Sequence, residues 1–294
     1  LADLLARSPL KPLNLGGRTL LPIFQGGMGV GVSGHRLAGT VAKWGGVGTL
    51  SSVDLRRQHP DLMARTTGLP QDDRAKQAIN AANLEAIDRD IRAARELSGG
   101  QGLLALNIMR AVTEYAASVK QALSSGIDAI VVGAGLPLDL PDLAKEHPKT
   151  LLIPILSDAR GVQLIVKKWE RKKRLPDAIV IEHPRLAGGH LGAAKIADLN
   201  DPRFDFERVI PESLAFLRAA GIEKEIPLIA AGGIRSYEDI QRVQRLGAAG
   251  VQMGTPFAVT QEGDAHPEFK RILAEARDED MVEFTSVAGL PARA

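Results

Sequence analysis

Pro227-Leu-Ile-Ala-Ala-Gly-Gly-Ile-Arg-Ser-Tyr-Glu-Asp-Ile240, a helical stretch, and Gly247-Ala-Ala-Gly-Val-Gln-Met-Gly-Thr-Pro-Phe257 decide the fold of this chain. The first apolar run, Pro227 to Ala231, is too short for an independent helix and stops at Gly232-Gly233, so it reads as a buried strand. Ser236, with Asp239 three residues on, is a capping-box-like helix start, and Ile240, Val243 and Leu246 mark the buried face that follows. Ala249 to Met253 is a second buried strand, ending at Gly254-Thr255. Two successive strand ends that offer glycine amides and a threonine hydroxyl suit a phosphate monoester, because backbone N–H donors approach it without side-chain bulk. In a (β/α)8 barrel the loops after strands seven and eight commonly form that site. Glycines that only make turns are the plainer reading, and their repetition in consecutive units favours the phosphate.

The same rhythm extends to the start of the chain. Leu21 to Gln25 is a short strand ending in Gly26-Gly27-Met28-Gly29, Ser33 caps a helix through Trp44, and Val47 to Leu50 is the next strand. Residues 53–82 are rich in Asp, Arg and Pro and predict a surface excursion, followed by an amphipathic helix over Asn83 to Leu97. Leu103–Ile108, Ala129–Val132, Leu151–Leu156 and Ala178–Ile181 supply strands three to six, with helices over Thr113–Leu123, Gly161–Arg174 and Glu212–Ala220 between or after them. Eight strands alternating with helices, with no Pro/Ser-rich linker, predict one α/β domain over residues 1–294. Its expected architecture is a (β/α)8 TIM barrel with insertions near 53–82 and 183–210 at its C-terminal face.

Composition narrows the function classes. The 294 residues carry a formal charge of +2 and no cysteine, so neither a nucleic-acid footprint nor a disulfide or thiolate site is expected. No apolar run is long enough for a membrane span and the first residues do not resemble a secretory signal, which predicts a cytoplasmic protein with no membrane partner. The basic run Lys167 to Arg174 reads as the solvated face of an outer helix.

The chemistry is expected at the strand ends. Gly26, Gly27 and Met28, Asn107, Gly133 and Gly135, Glu182, Gly188 to His190, Gly232 and Gly233, and Gly254 and Thr255 would ring one barrel mouth. A phosphate site at one side and glycine-edged walls elsewhere suit a flat phosphorylated cofactor, of which flavin mononucleotide has the shape.

Five segments together resemble the nitronate monooxygenase (2-nitropropane dioxygenase) family, which includes flavin-dependent enoyl-acyl carrier protein reductases and NAD(P)H:quinone reductases. They are Pro22 to Met28, Asn107-Ile108-Met109, Ala187 to Gly192, Ala231 to Ile234 and Gly250 to Thr255, in order along nearly the whole chain. The resemblance implies FMN as cofactor. Gly26, Gly27 and Met28 would flank the ring, Asn107 would bond the ring or ribityl chain, and Gly233, Gly254 and Thr255 would hold the phosphate. Glu182, Gly189 and Gly232 join this expected cofactor set. His190 would be the catalytic group, hydrogen-bonding a nitronate or removing the acidic proton of a nitroalkane. Relatives usually continue past the Gly289 to Ala294 segment, so a further tail closing over the site is also expected.

Other readings stay open at this level. An NAD(P)H-dependent flavin reductase of quinones or enoyl thioesters would use His190 as a donor to a substrate oxygen. A barrel that binds a phosphorylated metabolite without flavin is the reading from another class. Glu182, His183 and His190 lack a recognised zinc spacing, so no metal is expected. His35 and His147 are expected in solvent, and His59 and His266 in polar loops. The substrate is a small molecule, and the sequence leaves the oligomeric state open, a homodimer included.

Overall fold

In the computed structural model, which describes residues 2–286 and 289–294, helix α1 (Ala2–Arg7) leads into a hairpin of β1 (Leu13–Leu15) and β2 (Arg18–Leu20). Then come β3 (Ile23–Gln25), α2 (His35–Lys43) and β4 (Val47–Ser51). A 3-10 turn at Leu55–Gln58, α3 (Pro60–Thr66) and the long α4 (Asp73–Ser98) precede β5 (Leu103–Met109). The alternation continues through α5 (Tyr115–Ser124), β6 (Ala129–Gly133), α6 (Leu140–Leu143), β7 (Leu151–Leu156), α7 (Ala159–Glu170) and β8 (Ile179–Glu182). After the two-residue strand β9 (Gly189–His190) come α8 (Phe206–Ala219), β10 (Leu228–Ala231), α9 (Tyr237–Arg245) and β11 (Gly250–Met253). Helices α10 (Thr255–Ala258) and α11 (Pro267–Glu275) and the antiparallel pair β12 (Glu283–Thr285) and β13 (Pro291–Arg293) follow.

Eight parallel strands close into a barrel in the order β3-β4-β5-β6-β7-β8-β10-β11, so the chain has the expected (β/α)8 fold. Strand parity sorts the side chains. Leu103 and Ala105, Ala129 and Val131, Ala178 and Val180, and Ile229 and Ala231 fill the interior, while Leu104, Ile130, Ile179 and Leu228 face the helices. The β1–β2 hairpin plugs the amino end. Leu13, Leu15 and Leu20 join the interior cluster there, and Arg18 donates from Nη1 to the carbonyls of Gly100 and Gly102 ahead of β5. The opposite end is left for chemistry.

Three local expectations need correction. The helix expected from Asn83 begins at Asp73, because Asp72 caps it by accepting from the Ala75 amide at 2.8 Å, and its first turns bury only small residues such as Ala75 and Ala82. Ser33 does not cap α2. The cap is Asp264, whose Oδ2 accepts from the amides of Gly34 (2.9 Å) and Leu37 (3.1 Å). His35 is not a plain solvent histidine: it and His59, read as lying in a polar loop, both approach Oδ1 of the fully buried Asp90, at 3.2 and 3.1 Å. The Ser236–Asp239 capping box forms as read.

Candidate active site

Every expected site residue lies at, or in the loop following, the carboxyl end of a barrel strand. Gly26, Gly27 and Met28 follow β3, Asn107 lies in β5, Glu182 ends β8, Gly232 and Gly233 follow β10, and Gly254 and Thr255 follow β11. The loop after β3 is fixed by a buried polar network. Gln25 donates from Nε2 to the Gly26 carbonyl and to Ser33 Oγ (2.9 Å), Ser33 Oγ accepts from the Met28 amide (3.0 Å), and Gln25 Oε1 accepts from the Thr49 amide (3.0 Å). The Gly26 amide in turn donates to the Met253 carbonyl at 2.8 Å, which ties this loop to the last barrel strand.

The loop packs too closely for side chains. A Cβ on Gly27 would collide with Cβ of Asn107 and stand 3.1 Å from the Leu50 carbonyl. Asn107 donates from Nδ2 to the Gly27 carbonyl at 3.3 Å. A Cβ on Gly254 would meet Met28 Sδ at 3.4 Å. Gly26, Gly27, Met28, Asn107 and Gly254 are thus brought into one continuous rim, while Thr255 opens α10 behind it, exposed.

Below the rim, register sets a polar layer. Glu182, Ala231, Gln252 and Phe24 are paired in one row across β8, β10, β11 and β3. Ala231 and Phe24 belong to the interior cluster, so Glu182 and Gln252 also face inward, on either side of a small alanine. Burial pushes the Glu182 carboxyl up to about 7, with no cation beside it to oppose the shift. Gln252 is buried, and its Oε1 has no hydrogen-bond partner in the protein. Gln252 has no expected site role within the Gly250 to Thr255 segment, although alternation along β11 puts it on the face opposite Val251 and Met253, which face the helices.

The other side of the mouth is built by the loop after β8. His183 turns outward, its ring edge-on to Phe206 (5.5 Å between centroids) and its Nε2 3.4 Å from Asp205, and burial lowers its pKa. Gly232, at φ +104°, lies where a Cβ would meet the His183 carbonyl at 3.1 Å and the Ala187 amide at 3.4 Å, so the loop packs directly on the end of β10. Leu186 covers Gly233 in the same way, with its Cδ1 3.0 Å from a would-be Cβ. Farther on, Gly192 packs against Ser157 beyond β7. Gly189 and His190 lie on this loop between those two anchor points, as the strand β9. The His190 side chain lies outside the described residues.

A model of the nitronate monooxygenase family matches residues 17–294. The chain belongs to the nitronate monooxygenase family. Among curated relatives, a probable nitronate monooxygenase of Bacillus subtilis is 28% identical over 282 residues, covering 92% of this chain and 75% of that protein. A probable nitronate monooxygenase of Staphylococcus saprophyticus is 25% identical over 290 residues, with 92% and 74% covered. Two solved structures share the fold: FabK from Thermotoga maritima (TM-score 0.67, 23% identity, 92% of this chain and 70% of that one) and nitroalkane oxidase from Streptomyces ansochromogenes (TM-score 0.67, 21% identity, 98% and 78%). Family membership makes this chain an oxidoreductase. No helix among the described residues is long and apolar enough to cross a membrane.

Proposed function

We propose that this family member binds FMN across the barrel mouth and oxidises alkyl nitronates with dioxygen to a carbonyl compound and nitrite. The observation that carries the proposal is the inward-facing pair of Glu182 and Gln252 beneath a rim of glycines and Asn107, with a buried acceptor on Gln252 that the protein itself leaves unpaired. A buried amide oxygen without a partner is costly, and a ligand N–H removes that cost. The rim has the complementary character, since Gly27 and Gly254, both partly exposed, put no side chain at the mouth.

In this reading Gly26, Gly27 and Met28 flank the ring, Asn107 orients it, and Gly189, Gly232, Gly233, Gly254 and Thr255 face the ribityl phosphate side. Holding a phosphate at Gly233 requires the Leu186 side chain to swing aside, and Leu186 is exposed and free on its outer face to do so. Glu182, with its carboxyl near neutrality, exists at pH 7 as a mixture of donor and acceptor, and its protonated form presents an O–H to a ligand acceptor. His190, on the loop above, hydrogen-bonds the nitronate oxygens or, when neutral, accepts the α-proton of a nitroalkane. When bound, the flavin supplies the redox step, taking electrons from the nitronate and passing them to oxygen.

The test is the visible spectrum of the purified protein under anaerobic conditions, before and after addition of a nitronate and, separately, of NADH or NADPH. Flavin bands that survive the nucleotides and bleach with the nitronate are the expected result. A colourless protein that takes up no FMN would overturn the cofactor. Rapid bleaching by a nicotinamide nucleotide would overturn the monooxygenase reading in favour of a reductase of quinones or enoyl thioesters.

A further inference from the structure

The strand that bears His190 has only two residues, and a two-residue strand has no stability of its own. It is not part of the barrel. It pairs antiparallel with β13, Gly189 opposite Arg293 and His190 opposite Ala292, and the Leu191 amide donates to the Pro291 carbonyl at 2.8 Å. β13 pairs in turn with β12, so a hairpin a hundred residues away in sequence supplies the backbone partner of the His190 segment.

One side chain stitches this arrangement together. Arg293 Nη1 donates to the carbonyls of Arg185 and Ala187 (3.0 Å to the latter), the residues that lead into Gly188-Gly189-His190. Its Nη2 donates to Glu283 on β12, directly opposite it in the register. The guanidinium is largely covered, with 12% of the side chain exposed. Three acceptors from two separate segments converge on one planar fork, and a lysine ammonium on a flexible stem does not reproduce that spread of donors. Gly189, with φ +71°, holds a left-handed conformation that a free loop would sample only in part, so an external tie sets the direction in which the chain leaves it.

We infer that Arg293 is a positioning residue: through the Arg185 and Ala187 carbonyls and the β13–β9 pairing it fixes the backbone that carries His190 over the barrel mouth. The inference rests on the catalytic reading of His190 given above. None of the side-chain hydrogen bonds of Arg293 goes to the rim or the polar layer, so its effect on turnover passes through the His190 segment, whereas cofactor retention depends on the glycine rim.

The experiment combines hydrogen exchange with a double-mutant cycle on the FMN-loaded protein. In Arg293→Ala, amide exchange over residues 185–192 is expected to accelerate while peptides from β5 and β11 stay protected, and kcat with a nitronate is expected to fall by roughly tenfold to a hundredfold with FMN affinity within about twofold of the parent. In a His190→Ala background the same substitution is expected to cost no further turnover. Arg293→Lys is expected to lie between parent and alanine in both measurements. Unchanged exchange over 185–192 would overturn the clamp itself. Accelerated exchange with unchanged turnover, or an equal loss of turnover with and without His190, would overturn its action through that residue. If His190→Ala alone kept full turnover, the catalytic reading of His190 would fall and the positioning role with it, while the exchange result would still show whether Arg293 holds the loop.

Discussion

The two sides of the barrel mouth are built on different principles. The rim from β3 through β5 to β11 is fixed by its own loop and by the barrel strands: Gln25, Ser33 and Met28 bond within nine residues of one another, the Gly26 amide bonds Met253 on β11, and Gly27 presses on Asn107 of β5, two strands away. The loop after β8 is instead held by remote partners, Ser157 beneath it and Arg293 beside it, with a small cluster of Ala187, Leu191, Ala193, Leu199 and Phe204 as its own core. A rim tied into the barrel strands gives a rigid cradle for a cofactor. A loop that borrows its geometry from elsewhere can change with the substrate it must admit, at a lower cost to the barrel.

Substitutions that add a methyl group to each side put that contrast to a direct test. Gly27→Ala brings a Cβ onto the Asn107 side chain and against the Leu50 carbonyl, with backbone on one side and a strand residue on the other, and neither can yield cheaply. A loss of about 3 kcal/mol of unfolding free energy is expected, read by urea denaturation. A loss below about 0.5 kcal/mol would mean that the rim is as yielding as the opposite loop.

The floor between the two sides is expected to show the next largest effect, and with the opposite sign. Glu182 carries a folded-state value near 7 against an ordinary 4.5, so the native state holds its proton more tightly than the unfolded chain does. Stability then falls as pH rises between those two values, and the full penalty is present above about 7. Glu182→Gln removes the charge and keeps the shape. In the protein without cofactor it is expected to stabilise by about 2 kcal/mol at pH 8, allowing for partial exposure to the mouth, and by almost nothing at pH 4.5. Equal effects at both pH values would show that the carboxyl is not held in an unpaired, buried state.

How much of this was legible follows the same division. The alternation of short apolar runs and amphipathic helices gave away the barrel because a short continuous apolar run and an apolar stripe of period 3.6 leave different marks on a chain, and strand ends in glycine gave away the mouth. What could not be read were the ties between distant segments. Asp264 caps a helix that begins at His35, Arg293 closes on Arg185, and nothing local to either end announces the other. Ser33 misled because a serine before a helix is a cap by default, and here its hydroxyl is taken by Gln25 and Met28. The start of α4 was hidden because its first turns bury alanines, which leave too faint an apolar stripe.

The joint between α2, the excursion before α3 and α4 offers a smaller test of such remote ties. Asp90 is buried in α4 and meets His35 and His59 on one carboxylate oxygen, and its hydrogen bond raises the pKa of His35 while burial opposes the rise, with Asp264 adding to it and Arg36 opposing it. A raised histidine contributes stability that is complete below its ordinary 6.5 and is lost as pH rises through the folded value. Asp90→Asn is therefore expected to cost on the order of 1 kcal/mol more at pH 5.5 than at pH 8.5, His35 being partly exposed. A pH-independent difference in thermal unfolding would assign the joint to packing alone.

The smallest effect is expected on the remote-held side itself. Gly188 adjoins Gly189 in the His190 loop, yet a Cβ there meets nothing within 4 Å, and its φ is not in the left-handed region. Gly188→Ala also narrows the unfolded ensemble, which offsets any small native-state cost. Its unfolding free energy is expected to stay within about 0.5 kcal/mol of the parent, against the much larger loss at Gly27. A methyl tolerated at one Gly-Gly pair and rejected at the other would separate the two sides of the mouth by mechanics, since both pairs look alike in sequence. If Gly188→Ala proved as damaging as Gly27→Ala, the loop would have to be packed against a surface as unyielding as the rim, and the division between a barrel-bound cradle and a borrowed loop would no longer hold.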